Sequence, residues 1–244
     1  MKILHVSDLH ANLRWFDWLR REAAKFDLVC ITGDLVGRPR DPNLGQQIAE
    51  VCARLTGLAA PLAVCSGNHD HVEYPIGPCD WLRRLQGPGV WTDGARFAHL
   101  KKIFFCVPWG EPLSAAAPEE IWLCHLPPAR SVTGIARLER VDFGDLELAD
   151  LLHSGPGPAL ALSGHVHDPW LWHNRIGRTL VLNTGHAPTA PWPTHHVIDL
   201  VRRTVVRHRA GMPDERLVLH SIGGHETGRG AAKTGDSKNN SSRC

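Results

Sequence analysis

The 244-residue sequence has no long apolar run. Its longest uncharged and fairly apolar stretch, Leu55–Cys65, is interrupted by Gly57 and Pro61. It falls well short of the roughly 18 to 20 residues that a membrane-spanning helix needs. Near the start, Asp8 ends the apolar run before it reaches the stretch of about 7 to 15 residues required in a signal peptide. These absences predict a soluble, cytoplasmic protein with no membrane partner. Charge of one sign is missing as well: 27 basic residues stand against 25 acidic ones, a formal net charge of +2. No overall field draws the chain to nucleic acid or anionic lipid, so there is no strong nucleic-acid signal and any such partner would be recognised locally. Paired cysteines are also lacking. The seven cysteines are an odd number with no C-x-x-C spacing, and Cys30, Cys65, Cys106 and Cys124 sit inside short apolar runs. That pattern predicts buried free thiols in a reducing compartment rather than a disulfide framework. No internal repeat is present.

What remains is a composition, 43% hydrophobic and 21% charged, that suits one globular domain with a full core and is too short for two large ones. Short apolar runs alternate with amphipathic ones: strand Ile3–Val6, helix Leu13–Lys25, strand Leu28–Thr32, helix Asn43–Leu58 opened by Asp41-Pro42, strand Leu62–Ser66. Continuous apolar strands separated by helices predict a parallel sheet covered on both faces. A helix near Cys79–Gln86 follows, then short strands and hairpins over Val90–Thr92, Arg96–Leu100 and Lys102–Val107. Next come strand Ile121–Cys124, helix Asp145–Leu152 and strand Leu160–Ser163. An antiparallel run is predicted over Trp170–His173, Thr179–Asn183, His195–Leu200 and Thr204–Arg209. The fold class is therefore α/β, one domain over residues 1–222. Residues 223–244, rich in Gly, Ser, Asn, Lys and Thr, read as a disordered tail.

Histidine is abundant, with sixteen residues, and it is the commonest metal ligand. A polar residue able to bind metal stands just past the end of each of five strands. These are Asp8-Leu9-His10, Gly33-Asp34, Gly67-Asn68-His69-Asp70, His125 and Gly164-His165-Val166-His167. Ligands at the carboxyl ends of parallel strands converge on one crevice. Two carboxylates, an amide oxygen and four imidazoles form mixed nitrogen and oxygen sites suited to zinc, iron or manganese rather than calcium. Asp8 and His10 share an extended segment and can bind one ion, as can His165 and His167. Asp34, alone after its strand, is placed to bridge two ions. Such a pair, about 3.5 to 4 Å apart, binds phosphoryl oxygens and lowers the pKa of a bridging water. Any one of these short motifs alone is commonly a turn or a solvated loop. Their order after successive strands makes them a set.

In this order, the five blocks resemble the signature of the calcineurin-like metallophosphoesterases, over Met1 to about Leu200. The resemblance implies a four-layer α/β/β/α sandwich of two mixed sheets flanked by helices, with a centre of two divalent ions (Mn, Fe or Zn) at its rim. It implies one ion on Asp8, His10, Asp34 and His167, and the other on Asp34, Asn68, His125 and His165. Catalysis would rest on Asp34 and His69, with His69 facing the substrate to stabilise phosphate charge or protonate the leaving oxygen, and with Asn68, His69 and Arg38 as substrate contacts. In many relatives an aspartate three residues after the bridging one orients the histidine of Gly-Asn-His; here Gly37 holds that position. Arg38 stands where the protein-phosphatase branch has a phosphate-gripping arginine, although Gly-Asn-His-Asp departs from that branch. The implied activity is hydrolysis of a small phosphate ester, nucleotides included, by attack of a metal-bridging hydroxide. A phosphodiester is the first choice. A phosphomonoesterase on nucleotides or phosphoproteins and a non-catalytic scaffold are the alternatives, and the oligomeric state is left open. His71 and His186 read as surface residues with an approach to the rim as the other option, Trp109 and Trp170 as packing residues, and the basic stretch Val201–Arg209 as an edge or hairpin strand.

Overall fold

Three continuous apolar strands, buried on both faces, determine how the layers stack. The computed structural model describes residues 1–71, 80–85 and 87–219. Strands β1 (Lys2–Val6), β2 (Leu28–Thr32) and β3 (Leu62–Cys65) are parallel neighbours. One set of their side chains, Leu4, Val6, Val29, Ile31, Leu62 and Val64, packs against Trp15, Phe16 and Leu19 of helix α1 (Leu13–Glu22) and Ile48, Val51 and Leu55 of helix α2 (Leu44–Leu55). The alternate set, Ile3, Cys30, Ala63 and Cys65, faces a second sheet. Burying each large apolar side chain here contributes about 1.5 to 3 kcal/mol.

The first sheet has seven strands. It is completed by β4 (Val90–Trp91) beyond β3 and by β11 (His195–Asp199), β12 (Thr204–His208) and β13 (Glu215–Val218) beyond β1. The second, of six strands, contains the hairpin β5 (Arg96–His99) and β6 (Lys102–Cys106), then β7 (Ile121–Leu123), β8 (Leu160–Ser163), β10 (Thr179–Asn183) and β9 (His173–Ile176). Phe104, Ile121, Leu123, Leu160, Leu162 and Leu182 of this sheet meet the first across the sandwich. On its outer face Trp122, Ala161 and Val181 pack on Leu148 and Leu152 of helix α3 (Leu146–Ser154). The result is the four-layer α/β/β/α sandwich of mixed sheets. Cys30, Cys65, Cys106 and Cys124 are buried free thiols.

Several expected boundaries move, each for a local reason. α1 stops at Glu22 and tightens into a 3-10 turn over Ala23–Lys25. α2 ends at Leu55, because Thr56 turns extended and Gly57 takes φ +72°. Asp145 lies outside α3 as its N-cap, its carboxylate accepting from Leu148 N at 2.8 Å. Val90–Trp91 pairs in parallel with β3 rather than forming a hairpin. The strand expected over Trp170–His173 starts only at His173, since the amides of Trp170 and Leu171 bond to Ile135 O at 2.8 Å and Val132 O at 3.0 Å. The basic stretch forms the hairpin strand expected as one of two readings, β12 pairing antiparallel with β11, but β13 covers its other side, so it is not an edge, and Arg207 is buried. The expected helix near Cys79–Gln86 appears as a 3-10 helix over Asp80–Leu85, and Cys79, Gln86 and the tail lie outside the described residues. Among the described residues no helix is long and apolar enough to cross a membrane.

Candidate metal centre

β1, β2 and β3 of one sheet and β7 and β8 of the other deliver their C-terminal loops to the same rim of the sandwich. The loops are locked together by main-chain bonds: Asp8 N to Gly33 O at 3.1 Å, His10 N to Asp34 O at 2.9 Å, and Gly164 N to His125 O at 3.0 Å. Asp70 fastens two of them. Its carboxylate accepts from Leu35 N at 2.9 Å, Val36 N at 3.2 Å and Gly67 N at 2.9 Å. The packing leaves no space for side chains at the crossings. A Cβ on Gly33 (φ +83°) would lie 2.4 Å from His125 Nδ1, and one on Gly164 would lie 1.7 Å from Ser7 Oγ and 2.4 Å from Asp8 Oδ2. Asp8, His10, Asp34 and His165 themselves adopt φ between 44° and 65°, a strained conformation that clusters at functional sites.

Two groups of donor atoms result. In one, His10 Nε2 and His167 Nε2 are 3.3 Å apart, with Asp8 Oδ1 3.5 Å from His167 and 3.9 Å from His10. In the other, Asn68 Oδ1 lies 3.1 Å from both His125 Nε2 and His165 Nδ1, which are themselves 3.2 Å apart. Asp34 stands between them, Oδ1 3.4 Å from His125 Nε2 and Oδ2 3.8 Å from His10 Nε2. Thr32 O accepts from His125 Nδ1 at 2.8 Å, which turns Nε2 into the cluster. Lone pairs of nitrogen and oxygen thus converge at contact distance, an arrangement that repels itself unless a cation or protons sit among them. The donor set fits divalent ions.

The electrostatics agree. Burial opposes ionisation of Asp8, but His167 and the charge of His125 hold its carboxyl well below the usual range. Asp34 is likewise lowered, against burial, chiefly by His125. Burial also opposes charge on His125, and the Asp34 and Asp8 carboxylates override it, raising its pKa to about 9. Burial lowers His10 and, with the charge of His125, takes His165 down to about 4, so the rim pairs charged Asp8, Asp34 and His125 with imidazoles whose nitrogens stay unprotonated, the form that binds a metal.

His69 is beside this cluster. Its amide donates to Asp34 Oδ1 at 2.9 Å, its Nε2 is 3.9 Å from Asp34 Oδ2, and its buried Nδ1 has no hydrogen-bond partner among the described residues. Gly37 supplies none; its amide donates to Gln47 Oε1 at 2.9 Å. Two clefts meet at Asn68 and His69. One of about 590 Å³ is lined by Arg38, Arg40, His71 and Trp109, and one of about 350 Å³ by Leu138, Phe143, His165 and His167. The exposed Arg38 is thus on the rim of the first cleft. Trp109 stands over the site, its ring 5.7 Å from His125 and 6.3 Å from His165, and its amide donates to Ser66 Oγ at 3.0 Å. The surface reading of His186 is corrected here: its ring centroid is 4.4 Å from that of His167 and 5.2 Å from that of His10. Only the neighbouring Asn183-Thr184-Gly185 turn hinted at this in the sequence.

The family model of calcineurin-like phosphoesterases matches residues 1–169, and the chain belongs to this family. No curated relative matches by sequence. Among solved structures the chain is similar to TT1561 of Thermus thermophilus (17% identity, 90% of this chain and 99% of that one, TM-score 0.55). It is also similar to YfcE, a phosphoesterase from E. coli (16% identity, 90% and 100%, TM-score 0.51). A purple acid phosphatase, PPD1 from yellow lupin seeds, aligns at 13% identity over 85% of this chain and 50% of that one, with a TM-score of 0.52. These likenesses establish the shared fold. The matched segment stops at 169, yet β9 to β13 continue both sheets and bring His186 to the rim.

Proposed function

We propose that the protein is a dimetal-dependent phosphoesterase acting on phosphodiesters. The observation that carries this reading is the convergence of two carboxylates, an amide oxygen and four imidazoles into two groups that share Asp34. In this reading Asp8, His10, Asp34 and His167 hold one divalent ion (Mn, Fe or Zn), and Asp34, Asn68, His125 and His165 hold the other. Two ions held by these residues would supply Lewis-acid polarisation of phosphoryl oxygens and a lowered pKa for water. The chain's own residues do the rest. Asp34 fixes the spacing between the two groups. His69 faces the cleft and donates a proton to the leaving oxygen, while Arg38 reaches a non-bridging oxygen from the rim.

The preference for a diester is supported by the two clefts meeting at Asn68 and His69, room for a substituent on either side of phosphorus. Trp109 in the larger cleft suits an ester substituent that carries a planar ring, such as the base of a nucleoside. Buried unpaired thiols suit the reducing cytoplasm. The test is hydrolysis of bis-p-nitrophenyl phosphate against p-nitrophenyl phosphate by metal-stripped protein, with and without Mn²⁺. Metal-restored turnover favouring the diester is the expected result. Preference for the monoester would make the protein a phosphomonoesterase, and no turnover of either with metal bound would overturn the catalytic reading.

A further inference from the structure

We propose that His186 is a further donor to the ion held by His10 and His167, so that this ion has five protein donors: Asp8, His10, Asp34, His167 and His186. The inference rests on the dimetal reading above and adds a residue that the five sequence blocks do not contain. Three ligand nitrogens, one each from His10, His167 and His186, all lie within 4.8 Å of one another. Around an ion with bonds of about 2.1 Å, donors sit roughly 3 to 4 Å apart, so a small closure of the three rings suffices.

The loop that carries His186 is built to hold it there. Asn183, fully buried at the end of β10, donates to Gly164 O at 2.8 Å and Thr133 O at 3.1 Å, and its Oδ1 accepts from Gly185 N at 2.8 Å. Arg207, buried on β12, donates to Thr184 O from Nε at 3.1 Å and Nη2 at 2.9 Å. Gly185 takes φ +69°, and a Cβ there would meet Arg207 Nη2 at 2.7 Å and His167 O at 2.9 Å. The His186 amide then donates to His167 O at 2.8 Å, tying the two histidines through the backbone. At the far end Trp15 Nε1 donates to Ala190 O at 2.9 Å, and the Trp15 ring meets His186 edge-on at 5.2 Å.

A histidine kept only for packing gives its buried ring nitrogens partners from the protein. His186 Nδ1 is buried with no partner among the described residues. The ring does interact with the Asp8 main chain, and one of its nitrogens lies within reach of those of His10 and His167, so a nitrogen without a protein partner is left to meet a cation there. Five protein donors also leave fewer open positions than the three usual for catalytic zinc, which suits an ion that accepts five or six ligands, such as Mn²⁺ or Fe²⁺.

The experiment is equilibrium titration of metal-stripped protein with Co²⁺, reading uptake per chain and the visible d–d spectrum, for wild type, H186F and H186N. Phenylalanine keeps the ring against Trp15 and removes the nitrogens, whereas asparagine retains a weaker donor. The expected result is two ions in wild type, one of the two weakened about tenfold or more in H186F with an altered spectrum, and partial recovery in H186N. If H186F takes up both ions with wild-type affinity and spectrum, His186 is not a ligand and the inference fails. Uptake of fewer than two ions by wild type would instead overturn the dimetal reading itself.

Discussion

At the residue scale, Asp34 and Asp70 separate chemistry from scaffolding within one rim. Asp34 is the side chain placed between both donor groups, so Asp34→Ala removes a contact from each at once. The expected outcome is a loss of turnover by about three orders of magnitude or more, with far-UV circular dichroism unchanged. Wild-type activity in that variant would sink the dimetal mechanism. Asp70 follows the histidine of the same motif but accepts from three main-chain amides and is fully buried. Asp70→Ala leaves those amides without partners, and a cost of about 3 kcal/mol or more in urea unfolding is expected, with Asp70→Asn losing less. An unchanged denaturation midpoint would show that water replaces the carboxylate. The residues of the rim were legible in sequence because each stands next to the end of an apolar strand. His186 was not, since its placement depends on Asn183 and on Arg207, which comes from a different strand.

At the element scale, the strands mark where the centre lies and the crossings between their loops fix its dimensions. β1, β2, β3, β7 and β8 could be read from continuous apolar runs, as such strands are buried on both faces. The elements the sequence blurred are those whose partners are distant. β4 joins β3 in parallel over only two residues, and β13 is half exposed with little apolar signal. β9 starts late because loop carbonyls take the amides that would have extended it. The loop after β8 offers the sharpest test. A methyl group at Gly164 would drive into Ser7 Oγ, which donates to Thr32 O at the end of β2, and into the Asp8 carboxylate, which accepts from the His165 amide of the same loop. Gly164→Ala is therefore expected to reduce activity and metal uptake at the Asp8 group by about a hundredfold, while the sheets keep their circular dichroism. Equal metal uptake by variant and wild type would mean that the loops yield to the extra carbon.

At the scale of the whole molecule, the sandwich buries histidines that belong to neither donor group, and this links its stability to pH. His5 and His196, on adjacent β1 and β11, face each other with Nδ1 atoms 3.1 Å apart, and His5 Nε2 meets Thr32 Oγ1 at 2.9 Å. His195, next along β11, packs against Trp18 and His208. Burial pushes His5 down to about 3 and His195 to about 4, and burial with the charges of its neighbours takes His196 well below its usual value. These groups are neutral in the folded protein and titrate near 6.5 in the unfolded chain. Between those values the unfolded state binds more protons, so stability is fully present above about pH 6.5 and falls as the pH drops toward 4, by up to about 1.4 kcal/mol per pH unit for each histidine. The urea midpoint of metal-stripped protein should accordingly drop steeply between pH 7 and pH 5. His196→Phe should flatten that slope by about one proton's worth, since the ring still packs on Trp172 while its buried, unpartnered Nε2 is gone. The difference between the two slopes isolates His196 from His5, His195 and the histidines at the rim, which both proteins share. Parallel slopes would mean that His196 is already charged inside the sandwich, or that the unfolding protein exposes it before the transition.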